Sequence, residues 1–287
     1  MNHESIGIIA GSGQFPLLFA RAAREKGYRL VTAAYVNEAD PVLAEHSDVF
    51  EWVHLGQVRK LVRFFKGNDV RQAVMIGAIQ KARMFTDIRP DIQAILLVAK
   101  LRATHDDIIL RGFADYLEQQ GIVIRSSTFL LPDLLAPAGC WTRRKPKRSE
   151  WSDIELGLKL AREIGKLDIG QCIVVAGGSV LAVEAIDGTD ATILRGGGLG
   201  KGNAVVVKIA KPHQDLRFDM PAVGKQTIET MHRAHVGVLA VEAGKTVVFD
   251  RKDMIDLADR YKIAVVAVDP QADTEADSAI ETTGMES

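Results

Sequence analysis

Two cysteines in 287 residues, Cys140 and Cys172, are too few for a disulfide framework or a multi-cysteine zinc site, and they fit a reducing compartment. Net charge is equally scarce. Against 37 Asp and Glu stand 36 Lys and Arg, a balance of −1 that offers nucleic acid no global attraction. No apolar run approaches the roughly 20 uninterrupted residues that a membrane-spanning helix needs. The richest, residues 173–186, is broken by Gly177, Gly178, Ser179 and Glu184. The first six residues carry neither the basic nor the apolar stretch of a secretory signal, so a cytoplasmic location is expected. The seven histidines show no HxxxH or HxH spacing, and neither a GxSxG elbow nor a Walker A sequence occurs.

What is present suits a folded enzyme. Apolar residues make up 47% of the chain and charged residues 25%, enough for a substantial core. At roughly 150 residues per domain the length favours two units. Residues 1–135 read as a nucleotide-binding-like domain, 136–151 as a linker, 152–270 as a catalytic domain and 271–287 as a disordered acidic tail. In the first domain, strands at 6–10, 29–36, 73–76 and 122–124 alternate with helices near 16–26, 58–66, 91–101 and 106–120. That alternation predicts an α/β fold, a Rossmann-like, doubly wound parallel sheet. The linker holds two prolines and the basic cluster Arg143, Arg144, Lys145, Lys147 and Arg148.

The second half predicts a distinct α/β domain. It opens with a helix whose expected cap is Ser152, with Glu155 three residues on. Strands follow at 173–175, 180–185, 204–209, 236–241, 246–249 and 263–268, with helices at 225–234 and 251–261. The run from Gly196 to Gly202 lacks P-loop spacing and reads as a mobile loop over the site. Cys172 reads as packing rather than as a nucleophile.

Three groups of residues are candidates for chemistry. Gly11-Ser12-Gly13 lies between a strand and a helix, where backbone N–H groups and the helix dipole favour an anion. A dinucleotide fingerprint wants a third glycine where Pro16 stands, so a mononucleotide or sugar-nucleotide end fits better than NAD. Gly77, which ends the third strand, joins them as a binding position. Glu184, Asp187, Thr189 and Asp190 close an apolar strand with three acids and a hydroxyl, costly unless a metal, a cation or water compensates. Lys208 and Lys211 end another strand before a loop bearing Asp215, Arg217 and Asp219. Each group has a plain structural reading: a tight turn, a solvated acidic turn, surface lysines. Their company at strand ends, where open α/β sheets place ligands, favours a site.

The series GIIAGSGQFP from Gly7, THDDIILR from Thr104, REIGKLDIGQ from Arg162, LAVEAIDGTDA from Leu181 and KIAKPHQDLRFDMPAVG from Lys208 resembles the LpxI family. These are UDP-2,3-diacylglucosamine diphosphatases of lipid A biosynthesis. The resemblance implies hydrolysis of that substrate to UMP and 2,3-diacylglucosamine 1-phosphate (lipid X), with Mg2+ or Mn2+. It makes Asp219, in the RFDxPxxG motif, the critical aspartate. On this reading Asp219 binds metal or activates water, and Glu184, Asp187 and Asp190 complete the metal site. Asp187 and Lys211 count with Asp219 as catalytic, Lys208 and Thr189 as substrate-binding, and Gly11, Ser12, Gly13 and Gly77 hold the nucleotide end.

Partners implied are the lipid-linked sugar nucleotide, a second copy of the chain and a peripheral contact with the inner membrane. Two acyl chains need apolar surface, at ~0.8 kcal/mol per buried methylene. The stripe at residues 84–101 reads as core, with an acyl groove as its other reading. A glycosyltransferase and a non-catalytic nucleotide sensor are the rival functions.

Overall fold

The structure, a computed structural model, describes residues 4–79, 88–101, 106–217 and 219–269. The predicted acidic tail and the Met84 and Phe85 part of the apolar stripe lie outside them. The chain forms two compact units: Met1–Pro132 with Asp215–Asp219, and Asp133–Gln214 with Met220–Ser287.

The first unit is built on five parallel strands: β1 (Ser5–Ala10), β2 (Arg29–Tyr35), β3 (Val49–Val53), β4 (Gln72–Ile76) and β5 (Val123–Arg125), in the order β3-β2-β1-β4-β5. Strand β3 has no counterpart in the sequence reading. Strands buried on both faces read as continuous apolar runs, and the five residues from Ile6 to Ala10 are all buried. Helix α1 (Phe15–Glu25) packs Phe19, Ala20 and Ala23 on one face, against Ile6, Ile8 and Ala10. Helices α2 (Val58–Gly67), α3 (Ile92–Leu101) and α4 (Asp106–Gln119) cover the other face with Leu61, Phe65, Ala94, Phe113 and Leu117. Successive strands are added on one side of β1 and then on the other, so the order reverses between β1 and β4.

The stripe on α3 corrects the expectation of a core helix. Among its described side chains, Ala94 and, in part, Leu97 join the core, while Ile92, Ile95, Leu96 and Val98 are exposed.

In the second unit six strands run in the order β6-β13-β11-β9-β7-β8. They are β6 (Gly139–Cys140), β7 (Cys172–Ala176), β8 (Ser179–Val183), β9 (Val205–Lys208), β11 (Val238–Glu242) and β13 (Ala264–Val268). The central β9, β11 and β13 are parallel, β6 and β7 flank them antiparallel, and β8 pairs antiparallel with β7 and so runs the same way as the central three. A separate parallel pair joins β10 (Ala222–Val223) to β12 (Val247–Val248). Helix α5 (Arg148–Lys166) covers one face with Ile154, Leu158 and Ala161. Helices α6 (Gly188–Gly200), α7 (Lys225–Arg233) and α8 (Arg251–Arg260) cover the other with Ile193, Met231 and Met254.

Three expectations change here. The residues read as a linker contain edge strand β6, paired with Val266 and Ala267, and Thr142 accepts the Val265 N–H at 3.0 Å. Two residues are too few to show a strand period. Helix α5 begins at Arg148, not after Ser152; Glu150 reaches back to accept the Lys147 N–H at 2.7 Å. The glycine run is helix rather than lid. Gly196 and Gly197 are buried in α6, and a Cβ on Gly196 would stand 2.5 Å from the Cβ of Val174.

Candidate functional site

Gly11 and Gly77 stand at the carboxyl ends of β1 and β4, on either side of the point where the strand order reverses. The two loops interlock. Gly11 N–H donates to Ile76 O at 2.8 Å, Ser12 N–H to Ala78 O at 2.8 Å, and Ala78 N–H back to Ser12 O at 3.1 Å. The Ser12 hydroxyl also donates to Ala78 O at 2.7 Å. A Cβ on Gly11 would lie 2.5 Å from Ala78 O, and one on Gly77, at φ +96°, 2.7 Å from the Gly11 carbonyl carbon. Close backbone approach therefore explains both glycines. It also engages the N–H groups of Gly11 and Ser12 that the sequence reading reserved for an anion. Gly13, at φ +95° with open space where a Cβ would be, is the exposed residue of the Gly11-Ser12-Gly13 turn beside α1.

Asp219 packs with this same unit although it lies in the C-terminal half of the sequence. Its segment is tied to the residues that follow β5: Ser127 N–H donates to Arg217 O at 2.7 Å, and Asp219 N–H closes a turn on Asp215 O at 3.1 Å. Arg217 is the organiser. It grips Asp215 through Nε and Nη2 and reaches Glu118 of α4 at 2.7 Å. Burial pushes the Asp215 carboxyl up, but the Arg217 bonds outweigh it and hold that carboxyl below the usual carboxylate range. Two buried polar atoms nearby have no hydrogen-bond partner, the Ser127 hydroxyl and Arg111 Nε. Arg111 lies close enough to help lower Asp215. The sequence places Arg217 in this loop without giving it a role, and it does not point to Ser127 or Arg111, because nothing local ties residues 111 and 127 to a loop about 100 positions away.

In the second unit the remaining candidates share one edge of the sheet. The carboxyl ends of β8, β9 and β11 and the start of β7 all lie there, with Cys172 opposite Lys208 and Ile173 opposite Val183. Glu184 is buried just beyond β8. It accepts the Thr189 hydroxyl at 2.7 Å and the Gln171 N–H at 3.2 Å. Asp187, at the N-cap of α6, accepts the Ala185 N–H and pairs with Arg195, whose hydrogen bond is the main reason its carboxyl sits below the ordinary value. Asp190 accepts the Gln226 amide at 2.9 Å. Buried Lys208 donates to Ala222 O at 3.0 Å, and Lys211 pairs with Asp168 at 2.6 Å.

A buried acid not foreseen from the sequence completes this edge. Glu242, at the end of β11, accepts the Ala210 N–H at 3.0 Å and faces Arg162 at 3.7 Å. It pins the turn between Lys208 and Lys211. An acid ending an apolar strand, as Glu184 does, was the available signal.

The profile of the LpxI N-terminal domain matches residues 5–134, and that of the LpxI C-terminal domain residues 137–266. A Caulobacter vibrioides protein, UDP-2,3-diacylglucosamine pyrophosphatase LpxI, is 32% identical over 281 residues, spanning 93% of this chain and 99% of its own. The chain belongs to the LpxI family. Among solved structures, phosphoribosylglycinamide synthetase from Anaerococcus prevotii aligns with 64% of this chain and 39% of its own at 12% identity and a TM-score of 0.26. The protein gox2253 aligns with 93% and 78% at 14% identity and a TM-score of 0.31. Those scores are too low to carry a likeness of fold.

The LpxI resemblance called for a divalent ion. Among the described residues no group of three or more His, Cys, Asp or Glu side chains is arranged to hold one. The partners explain why: Glu184 turns to Thr189 and Gln171, Asp187 to Arg195, Asp190 to Gln226. These three acids of the LpxI chain are each engaged in a hydrogen bond or ion pair of this edge. The Cys172 thiol, pushed up to about 12 first by burial and then by Glu184, stays protonated and packs as predicted. No helix among the described residues is long and apolar enough to cross a membrane.

Proposed function

We propose that this chain hydrolyses the pyrophosphate bond of UDP-2,3-diacylglucosamine, releasing UMP and 2,3-diacylglucosamine 1-phosphate. The observation that carries the reading is the end-to-end likeness to a relative named for acting on that substrate. The chemistry asked of the chain is modest, because phosphoryl transfer is governed by positioning and charge stabilisation. Asp219, on a turn anchored through Arg217 to Ser127, orients a water and takes its proton. The water oxygen bonds to one phosphorus as the bridging P–O bond breaks, and the second phosphate leaves with the bridging oxygen. Lys208 and Lys211, held by Ala222 and Asp168, offset the phosphate charge. Gly13 and Gly77 lie at the reversal point of the first sheet, where the nucleotide end is placed.

Mg2+ or Mn2+ would supply further neutralisation of the diphosphate; no step and no residue is assigned to it. The two acyl chains keep the substrate at a lipid surface, and a homodimer on the cytoplasmic face of the inner membrane fits that setting.

The deciding experiment incubates the purified protein with UDP-2,3-diacylglucosamine in 18O-water, with and without EDTA. UMP and lipid X with one label between them support hydrolysis, and the labelled product identifies the phosphorus attacked. Release of UDP would replace the reading with glycosyl transfer. Tight nucleotide binding with no turnover in Mg2+ or Mn2+ would make the chain a sensor. Full activity in EDTA would remove the divalent ion from the proposal.

A further inference from the structure

Helix α3 leaves an apolar face uncovered. Ile92, Ile95, Leu96 and Ala99 recur at the spacing of one helical face, and Val98 flanks them. Ile92 is 61% exposed, Ile95 56%, Leu96 57% and Val98 47%. The opposite side of the helix, Ala94 and part of Leu97, meets the core. From Ile92 to Ala99 there is no charged residue. Four large aliphatic side chains held in water on one short helix are uncommon on a surface that stays wet.

What lies beside this face says what covers it. Helix α2 packs on the same side of the sheet, and its buried residues Val58, Leu61, Val62 and Phe65 share one core with Ala94. Its outer stripe is Arg59, Arg63 and Lys66, all exposed, and the helix carries no acid. The two helices are joined at their starts, where Arg59 N–H donates to the Asp91 carboxylate at 2.6 Å. Among the described residues no carboxylate pairs with Arg59 or Arg63. Helix α4 on the same side differs, presenting Asp115 and Glu118. Aliphatic side chains next to unpaired basic ones are the pattern of a helix that lies in the interface of an anionic bilayer, with about 1 kcal/mol per basic residue added to the apolar term.

We propose that the outer face of α2 and α3 docks the enzyme on anionic phospholipid, with Ile92, Ile95 and Leu96 entering the acyl boundary and Arg59 and Arg63 meeting headgroups. The inference deepens the lipid-substrate reading above, on which its purpose rests, but the docking itself is measured without substrate.

The test is co-sedimentation of the full chain with vesicles of phosphatidylcholine alone and of phosphatidylcholine with phosphatidylglycerol. Binding is expected on the anionic vesicles, weakening as salt rises. Ile95→Asp with Leu96→Asp should lower it more than about tenfold, since charge at that depth is costly. Arg59→Gln with Arg63→Gln should lower it by roughly tenfold or more and remove the preference for the anionic lipid. Leu199→Asp, an exposed aliphatic of the second unit, should change nothing.

No binding by the unmodified chain, or unchanged binding by both double variants, overturns the proposal. So does a dimer that Ile95→Asp with Leu96→Asp separates without any vesicle binding, since the face would then cover a second copy. Circular dichroism confirms that the variants fold, and the arginine pair tests the same surface should the aspartates disturb it. With substrate in detergent micelles, Ile95→Asp with Leu96→Asp should retain hydrolysis that it loses on substrate in vesicles. Vesicle binding with no hydrolysis in either form would refute the proposed activity and leave the docking surface standing.

Discussion

The hydroxyl of Thr189, in the first turn of α6, donates at 2.7 Å to the buried carboxylate of Glu184 just beyond β8. One bond thus joins the helix to the strand end at the edge where Lys208 and Lys211 also lie. Removing a donor from a buried acceptor costs the acceptor its solvation, about 1–3 kcal/mol. Thr189→Val should lower unfolding free energy by that amount in a urea titration, while Thr189→Ser, which keeps the donor, stays near the parent value.

Asp219 carries the proposed proton transfer. General-base groups typically contribute 10²- to 10⁴-fold, so Asp219→Ala should lower kcat by roughly that factor. Near-normal turnover by Asp219→Ala would remove it from the mechanism.

Gly13 and Gly77 share a left-handed backbone but not their surroundings. Gly13→Ala meets only conformational strain, about 1–2 kcal/mol. Gly77→Ala adds a Cβ 2.7 Å from the Gly11 carbonyl carbon and should be clearly the more destabilising, by denaturant titration of both variants. Equal effects would mean that the loops part easily.

The Asp215 carboxyl is held below its ordinary value by Arg217. A depressed carboxyl stabilises the fold above its unfolded pKa, and that contribution is lost as pH falls through the lower, folded value. Asp215→Asn should cost about 1–2 kcal/mol at pH 7. The gap to the parent should stay level from pH 8 to pH 5 and close below about pH 4, as followed by denaturation at each pH.

Burial pushes the Cys172 thiol up to about 12 and sets it in a buried strand, so it offers little thiolate at pH 8. Iodoacetamide should label half-buried Cys140 first in the native protein, and both cysteines at similar rates in urea. Peptide mass analysis distinguishes the two. Early labelling of Cys172 would mean that β7 opens readily.

The first sheet was readable because its strands are buried on both faces, so Ile6, Ile8 and Ile9 form an unbroken apolar run that stops at Gly11. Lys208, Glu184 and Asp187 were readable as a group for a similar reason: each follows an apolar strand. Strand β3 was not, since Val49–Val53 is an edge strand of mixed character with half-buried Glu51 and exposed Trp52. The run Gly196 to Gly200 argued against helix because each glycine costs about 1 kcal/mol there. Packing overrules that cost, since only glycine lets α6 approach Val174 and Ala234 so closely.

Local chemistry along the chain was therefore enough to establish an α/β protein, its strand-end glycines, acids and lysines, and its family, because buried strands and turn residues leave marks that need no partner. Folding decided matters that depend on residues distant in sequence. It gathered Asp219 beside Ser127 and Arg217, committed Glu184, Asp187 and Asp190 to hydrogen-bond partners, and left one side of α3 uncovered. Those outcomes depend on which surfaces meet, and a one-dimensional pattern carries no record of that.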